Sequence, residues 1–400
     1  MPQQQQQQQE QQRPPPPRGA LGLNYNGQLS WISHSEIRQM GASWVRGFIN
    51  MHSLPSPPAE DPNLAALLGA ADAGLGTVLS LKWDYTCRDF PGAGTRELRA
   101  ELCALERVLR VVGERVDVLV LGNEPFVEAR PEQRGDPLNC FYEAVAEAAI
   151  AFFFPSSSSS SSSCDPANPK PKPRPRLYTG ALNRLDLPAR RTPAVERMLA
   201  FTAARPDLDG VDLHPHTREP GAHATMVRWA LARLRPDQSF LATEFSMVWC
   251  WKAHMRDVVA PIPASTLTSS ASNETPHPDL DLTLNLHPGA RVHEVLDAMI
   301  ASPTTPQQWR AFLSAQPWYA THQHFLRDTV RLYRSTGRLA VATYPYSPMR
   351  DRAQPLGPDG VPWLLNGVYA PSTVRREPGG LRPEGWPWGQ EFRCAVAEGP

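Results

Sequence analysis

The chain has 400 residues, with 40 lysines and arginines against 40 aspartates and glutamates. Zero net charge offers no electrostatic footing for nucleic acid or an anionic membrane, and no apolar run approaches the ~20 residues that span a bilayer.

Residues 1–17 are poly-glutamine followed by poly-proline and read as a disordered tail. The tail lacks the apolar core of a secretory signal. As written, the sequence predicts a cytoplasmic protein, with secretion open only if the start is misplaced. The predicted folded domain runs over 18–370. Its first four strands are read at 20–24, 43–48, 76–82 and 116–121. Each is short, apolar and often β-branched, as strands buried on both faces should be.

The helices between them carry their own signals. Ser33 and Glu36 have capping-box spacing, and Gly41 is the expected stop. After Thr95, the residues Leu98, Leu102, Leu105, Leu109 and Val112 form one apolar stripe. Cys103 on that helix is read as core. The other cysteines show no CxxC spacing and suggest neither a zinc site nor a disulfide framework.

An eight-serine run and alternating Lys-Pro and Arg-Pro fill 155–176, a low-complexity insertion. Strands resume at 177–182, 209–214, 239–244 and 338–344, with irregular sequence at 253–290. Thr192-Pro193 marks one helix start, Met226, Ala230, Leu231 and Leu234 form a further stripe, and a last helix is read over 320–336 before Gly337. Residues 371–400 are read as a tail that packs on the barrel or extends from it. Eight strands alternating with helices predict an α/β fold, a (β/α)8 TIM barrel. The turn after strand one, NYNGQLSW, lacks the Gly-rich fingerprint of a nucleotide-binding open sheet.

Strand tips form the active face of such a barrel. Glu124 follows VDVLVLGN at the tip of strand four, and Glu244 ends SFLATE at the tip of strand seven. Two facing carboxylates are the machinery of glycoside hydrolysis. The Asn123-Glu124-Pro125 run and Glu244 resemble the clan A glycoside hydrolases, at motif level, across the barrel. The resemblance implies that Glu124 is the general acid/base, its pKa raised by burial and the neighbouring carboxylate. It implies that Glu244 is the nucleophile, that Arg46 on strand two supports it, and that Asn123 binds the sugar 2-hydroxyl. It also implies a retaining mechanism, β-linked substrates and no cofactor.

His214 in VDLHPHT matches the clan's strand-six histidine, while His216 stands where a tyrosine is usual. Asn24, Trp83, Trp249 and Tyr344 lie near the predicted active face as sugar contacts, with Trp363 further along. The partner so implied is a carbohydrate, and the oligomeric state is not legible. Two other readings compete. One is a metal-dependent barrel hydrolase built on His214 and His216. The other is a catalytically silent barrel that binds carbohydrate.

Overall fold

The eight apolar runs pair in parallel, because a chain that alternates strand and helix returns each strand to the same end of the sheet. In the computed structural model, which describes residues 17–155, 174–262, 289–348, 355–376 and 380–400, they close into one barrel. The strands are β1 (Ala20–Asn24), β2 (Trp44–Asn50), β3 (Gly76–Lys82), β4 (Val118–Leu121), β5 (Arg176–Asn183), β6 (Gly210–His214), β7 (Ser239–Ala242) and β8 (Leu339–Pro345). Each pairs with the next, and β8 pairs with β1 through Ala20–Val341 to Asn24–Pro345. The (β/α)8 architecture read from the sequence is therefore the architecture observed.

Period-two alternation divides the core into two compartments. Val78, Val118, Val120, Tyr178, Leu241 and Val341 fill the barrel interior. The alternate residues, such as Leu23, Val45, Leu79 and Leu119, pack outward against the helices.

Helix starts and stops follow the sequence. α1 (His34–Met40) is capped by the Ser33 hydroxyl and stopped by Gly41 at φ +68°. Only half of the capping box forms. Glu36 turns inward, accepting from the Tyr346 hydroxyl and, at 2.9 Å, from the Arg382 N–H. α2 (Pro62–Asp72) is capped by Asp61, and α3 (Arg96–Val112) by Thr95. Leu98, Leu105, Leu109 and Val112 of α3 are buried. Each buried leucine contributes about 1.5–3 kcal/mol of transfer free energy. Cys103, by contrast, is exposed, so its reading as core is corrected: it lies off the buried stripe.

α4 (Asp136–Phe153), α5 (Pro193–Ala204), α6 (Gly221–Leu231) and the short α7 (Val248–Ala253) follow. Before β8 come α8 (Val292–Ala301), α9 (Pro306–Ala315) and α10 (Pro317–Ala320), none of them anticipated, and then α11 (Phe325–Ser335). The C-terminal α12 (Trp388–Ala397) lies on the barrel wall, with Trp388 against Tyr344, Tyr319, Trp251 and Phe325. The Gln/Pro tail, the serine-rich insertion and most of the irregular stretch lie outside the described residues. Among those described, no helix is long and apolar enough to cross a membrane.

Candidate active site

The turn after β4 places Glu124. Gly122 has φ +141°, and a Cβ there would stand 2.1 Å from the Gly180 carbonyl oxygen of β5. Glu124 itself is left-handed at φ +47°, a conformation that non-glycine residues adopt rarely and at a cost. Its carbonyl accepts from the N–H groups of Val127 and Glu128 at 2.8 and 2.9 Å, which locks the turn. The carboxyl hangs over the barrel mouth, where Oε1 accepts from Asn183 Nδ2 and lies 2.9 Å from His214 Nδ1.

Glu244 stands two residues beyond β7. Arg46 Nη1 donates to its Oε1 at 2.6 Å. Arg46 is wholly buried and saturated: Nη1 also reaches Asn24 Oδ1 at 3.1 Å, while Nη2 donates to Asn123 Oδ1 at 2.7 Å and to Ser80 Oγ at 3.0 Å. One guanidinium thereby joins β1, β2, β3 and the segments that follow β4 and β7. Asn24 acts inside this array, its amide Nδ2 donating to Asn26 Oδ1 at 2.8 Å.

His214 is enclosed between the carboxyls. Thr243 Oγ1 donates to the buried carboxylate of Asp212 at 2.5 Å. Its lone pair then accepts from His214 Nε2 at 2.9 Å, which fixes the proton on Nε2. Nδ1 and Glu124 Oε1 consequently share one proton. Because Oε1 already accepts from Asn183, that proton belongs to the imidazole. Burial disfavours the imidazolium, yet the carboxylates of Glu244, Asp212 and Glu124 overcome it and raise the His214 pKa to about 10.

The glutamates respond accordingly. Burial pushes Glu244 upward, but His214, Arg46 and His216 outweigh it and hold the carboxylate far below its ordinary range. Burial also raises Glu124, and the hydrogen bond and charge of His214 reverse that, leaving it below the usual value. The raised Glu124 pKa expected from the sequence is therefore not found. The expectation weighed burial and the second carboxylate, but not an imidazolium in contact.

His216 sits over Glu244, with Nε2 3.7 Å from Oε2 and Nδ1 2.8 Å from Ser246 Oγ. A third carboxyl, missed in the sequence, lies behind Asn123. Glu128 Oε1 accepts from Asn123 Nδ2 at 2.7 Å and from Lys82 Nζ at 2.6 Å. Burial lifts it to about 7 despite the lysine. Asn123 is thus oriented from both ends, by Arg46 and by Glu128.

The expected aromatic contacts divide. Trp83 is fully buried and donates to Glu101 at 3.1 Å, so it offers no face to a sugar. Tyr344 is equally enclosed, against Phe245 and Trp388. Alternation explains both corrections. Ser80 and Lys82 of β3 face the barrel axis, as does Thr343 of β8, so their neighbours Trp83 and Tyr344 face the helices. Trp249 is half-buried, with Arg184 and Lys252 at 5.5 and 5.6 Å from its ring. Trp363 is 42% exposed and meets the His216 ring edge-on at 5.0 Å, which makes it the open aromatic face beside the glutamates.

An oxygen of Glu124 and one of Glu244 lie within 4.8 Å of each other. Their side chains are 22% and 15% exposed, open to the cleft and otherwise enclosed. Once Glu124 takes up a proton, the arrangement can donate it while Glu244 stays charged.

No family model matches the chain, and no curated protein matches it in sequence. Its fold is similar to that of a glucosidase from Croceicoccus marinus, at 12% identity and a TM-score of 0.51, over 96% of this chain and 68% of that one. It is also similar to the catalytic domain of alkaline cellulase K, at 10% identity and a TM-score of 0.43, over 95% and 87% of the two chains. A β-galacturonidase from Eisenbergiella tayi aligns at 9% identity and a TM-score of 0.41, over 96% of this chain and 51% of that one. At such identities the likeness speaks to the fold alone.

Proposed function

We propose that the protein is a retaining O-glycosyl hydrolase. The observation that carries the reading is the approach of Glu124 and Glu244 to within 4.8 Å at the C-terminal mouth of the barrel. Retaining glycosidases hold their carboxyls about 5–5.5 Å apart, whereas inverting enzymes need about 6.5–9.5 Å to admit a water. The resemblance of Asn123-Glu124-Pro125 and Glu244 to clan A supports the same roles, and with them β-linked substrates.

Glu244, kept ionised by Arg46, attacks the anomeric carbon while Glu124 gives its proton to the glycosidic oxygen. His214 and Asn183 stabilise the Glu124 carboxylate that results. Glu124 next takes a proton from water, which breaks the glycosyl–Glu244 bond and releases the sugar. Asn123, clamped between Arg46 and Glu128, retains a free amide proton for the 2-hydroxyl. Trp363 supports the ring from the side of His216.

The test is hydrolysis of a panel of aryl α- and β-glycosides by the wild type and by Glu244→Ala, with azide added to the variant. The expected result is a loss of activity in the variant, partly restored by azide, with a glycosyl azide of inverted configuration. A Glu244→Ala variant as active as the wild type would remove Glu244 as nucleophile and with it the retaining mechanism.

A further inference from the structure

Glu124, His214, His216 and Glu244 each direct one ligand atom into the same small space, all four atoms within 4.8 Å of one another. Within this set His214 Nδ1 is 2.9 Å from Glu124 Oε1, and His216 Nε2 is 3.7 Å from Glu244 Oε2. A tetrahedral zinc ion with bonds of about 2.0–2.1 Å sets its ligand atoms about 3.3 Å apart. The two separations lie on either side of that value.

The outer nitrogens supply an independent observation. A histidine that binds metal donates its other N–H to a fixed acceptor, which orients the ring and sets the tautomer. His214 Nε2 donates to Thr243 Oγ1, itself anchored on the Asp212 carboxylate. His216 Nδ1 meets Ser246 Oγ at 2.8 Å. The backbones of His216 and Ser246 are also bridged, with the Ser246 N–H bonded to the Pro215 carbonyl at 3.2 Å and the Thr217 N–H to the Ser246 carbonyl at 2.9 Å. Both rings are therefore held from behind, with their inner nitrogens turned toward two carboxylates. Arg46 occupies Glu244 Oε1 and leaves Oε2 on the His216 side. Residue 216 completes the set, because a tyrosine there would leave only three ligands and one imidazole.

We infer that these four side chains form a binding site for a zinc-like divalent ion. Zinc takes the place of the proton shared by His214 and Glu124. Binding rests on the four side chains alone. Its consequence, that bound zinc excludes the glycoside by occupying both carboxylates, rests on the glycosidase reading.

The probe is zinc chloride titrated calorimetrically into the full chain, with X-ray absorption on the loaded protein. One ion per chain with two nitrogen and two oxygen neighbours at about 2.0–2.1 Å is expected. Affinity should fall at least tenfold in His216→Tyr, and by about 10–100-fold in Ser246→Ala, which removes an outer anchor and leaves all four ligands in place. Circular dichroism verifies that each variant is folded. Equal affinity in the wild type and both variants would overturn the inference by moving the ion elsewhere, as would no binding at millimolar zinc. For the consequence, zinc should inhibit glycoside hydrolysis competitively, with chelator restoring the rate. Hydrolysis that depends on zinc would overturn the blocking role. A protein that binds zinc in this pattern yet cleaves no glycoside would leave the site standing and remove the proposed function.

Discussion

His214 ties the two glutamates into one titrating unit, so its removal has a definite sign. The Glu124 pKa lies below that of an ordinary glutamic acid because the imidazolium touches it, against the pull of burial. In the proposed retaining mechanism the first step needs Glu124 protonated and Glu244 ionised. The alkaline limb of kcat/KM, which reports the free enzyme, should accordingly lie in acid solution. His214→Asn takes away the cation that offsets burial most, so the Glu124 pKa rises and that limb moves to higher pH. The maximal rate should fall, because the departing proton then leaves a carboxylate held by Asn183 without the imidazolium. Thr243→Val, which cuts His214 from Asp212, should move the limb in the same direction and less far. A pH–rate series on one aryl glycoside measures all three proteins. Limbs that coincide in the three would mean that His214 carries no charge beside Glu124.

At the scale of elements, the β4 turn shows why some of this site was legible and some was not. An apolar run that ends in Asn-Glu announces a carboxylate at a strand tip, and the same logic found Glu244, whereas Arg46 came from the resemblance to clan A. Glu128, Asn183, Lys82 and Ser246 carried no such sign, since each is defined by a partner distant in sequence, such as Lys82 for Glu128 across 46 residues. Trp83 and Tyr344 were placed by nearness to the tips. Counting inward and outward positions along β3 and β8 would have sent both to the helix side. The left-handed Glu124 is a local feature that a helix or strand pattern does not encode. Gly122 is its precondition, because with φ +141° and 2.1 Å to the Gly180 oxygen it admits no side chain without displacing β5. Gly122→Ala should cost at least about 1–3 kcal/mol from the backbone conformation alone. If the variant folds, it should lose most of its activity while keeping a barrel circular dichroism spectrum. Wild-type rates from Gly122→Ala would show that the turn is not what aims Glu124.

The whole molecule was legible to the extent that eight buried strands could be counted, and the closed barrel follows from that count. What closes over the outside of it was not. α12 lies against β8 through Trp388 and Tyr344 and meets α10 through Tyr319, and only Pro-rich sequence marks the approach of α12, although Thr305-Pro306 with Gln308 signals the start of α9. The C-terminal segment is nonetheless tied to the barrel at both of its ends. Trp388 is buried among Trp251, Tyr319, Phe325 and Tyr344, and its indole N–H donates to the Leu365 carbonyl at 2.7 Å. Arg334 donates to the Ala395 carbonyl at 2.7 Å and to the Gly19 carbonyl at 2.9 Å, joining the last helix to the chain entering β1. Trp388→Ala should therefore cost about 3–5 kcal/mol, the range for removing a large buried aromatic, read as a lower urea midpoint with the slope unchanged. The cost should reach the site as well, because Trp251, which loses its neighbour, donates to Asn366 at 3.1 Å in the loop that carries Trp363. A rise in KM with kcat retained would fit displacement of that loop's aromatic face. An undiminished midpoint would mean that α12 rests on the barrel without stabilising it.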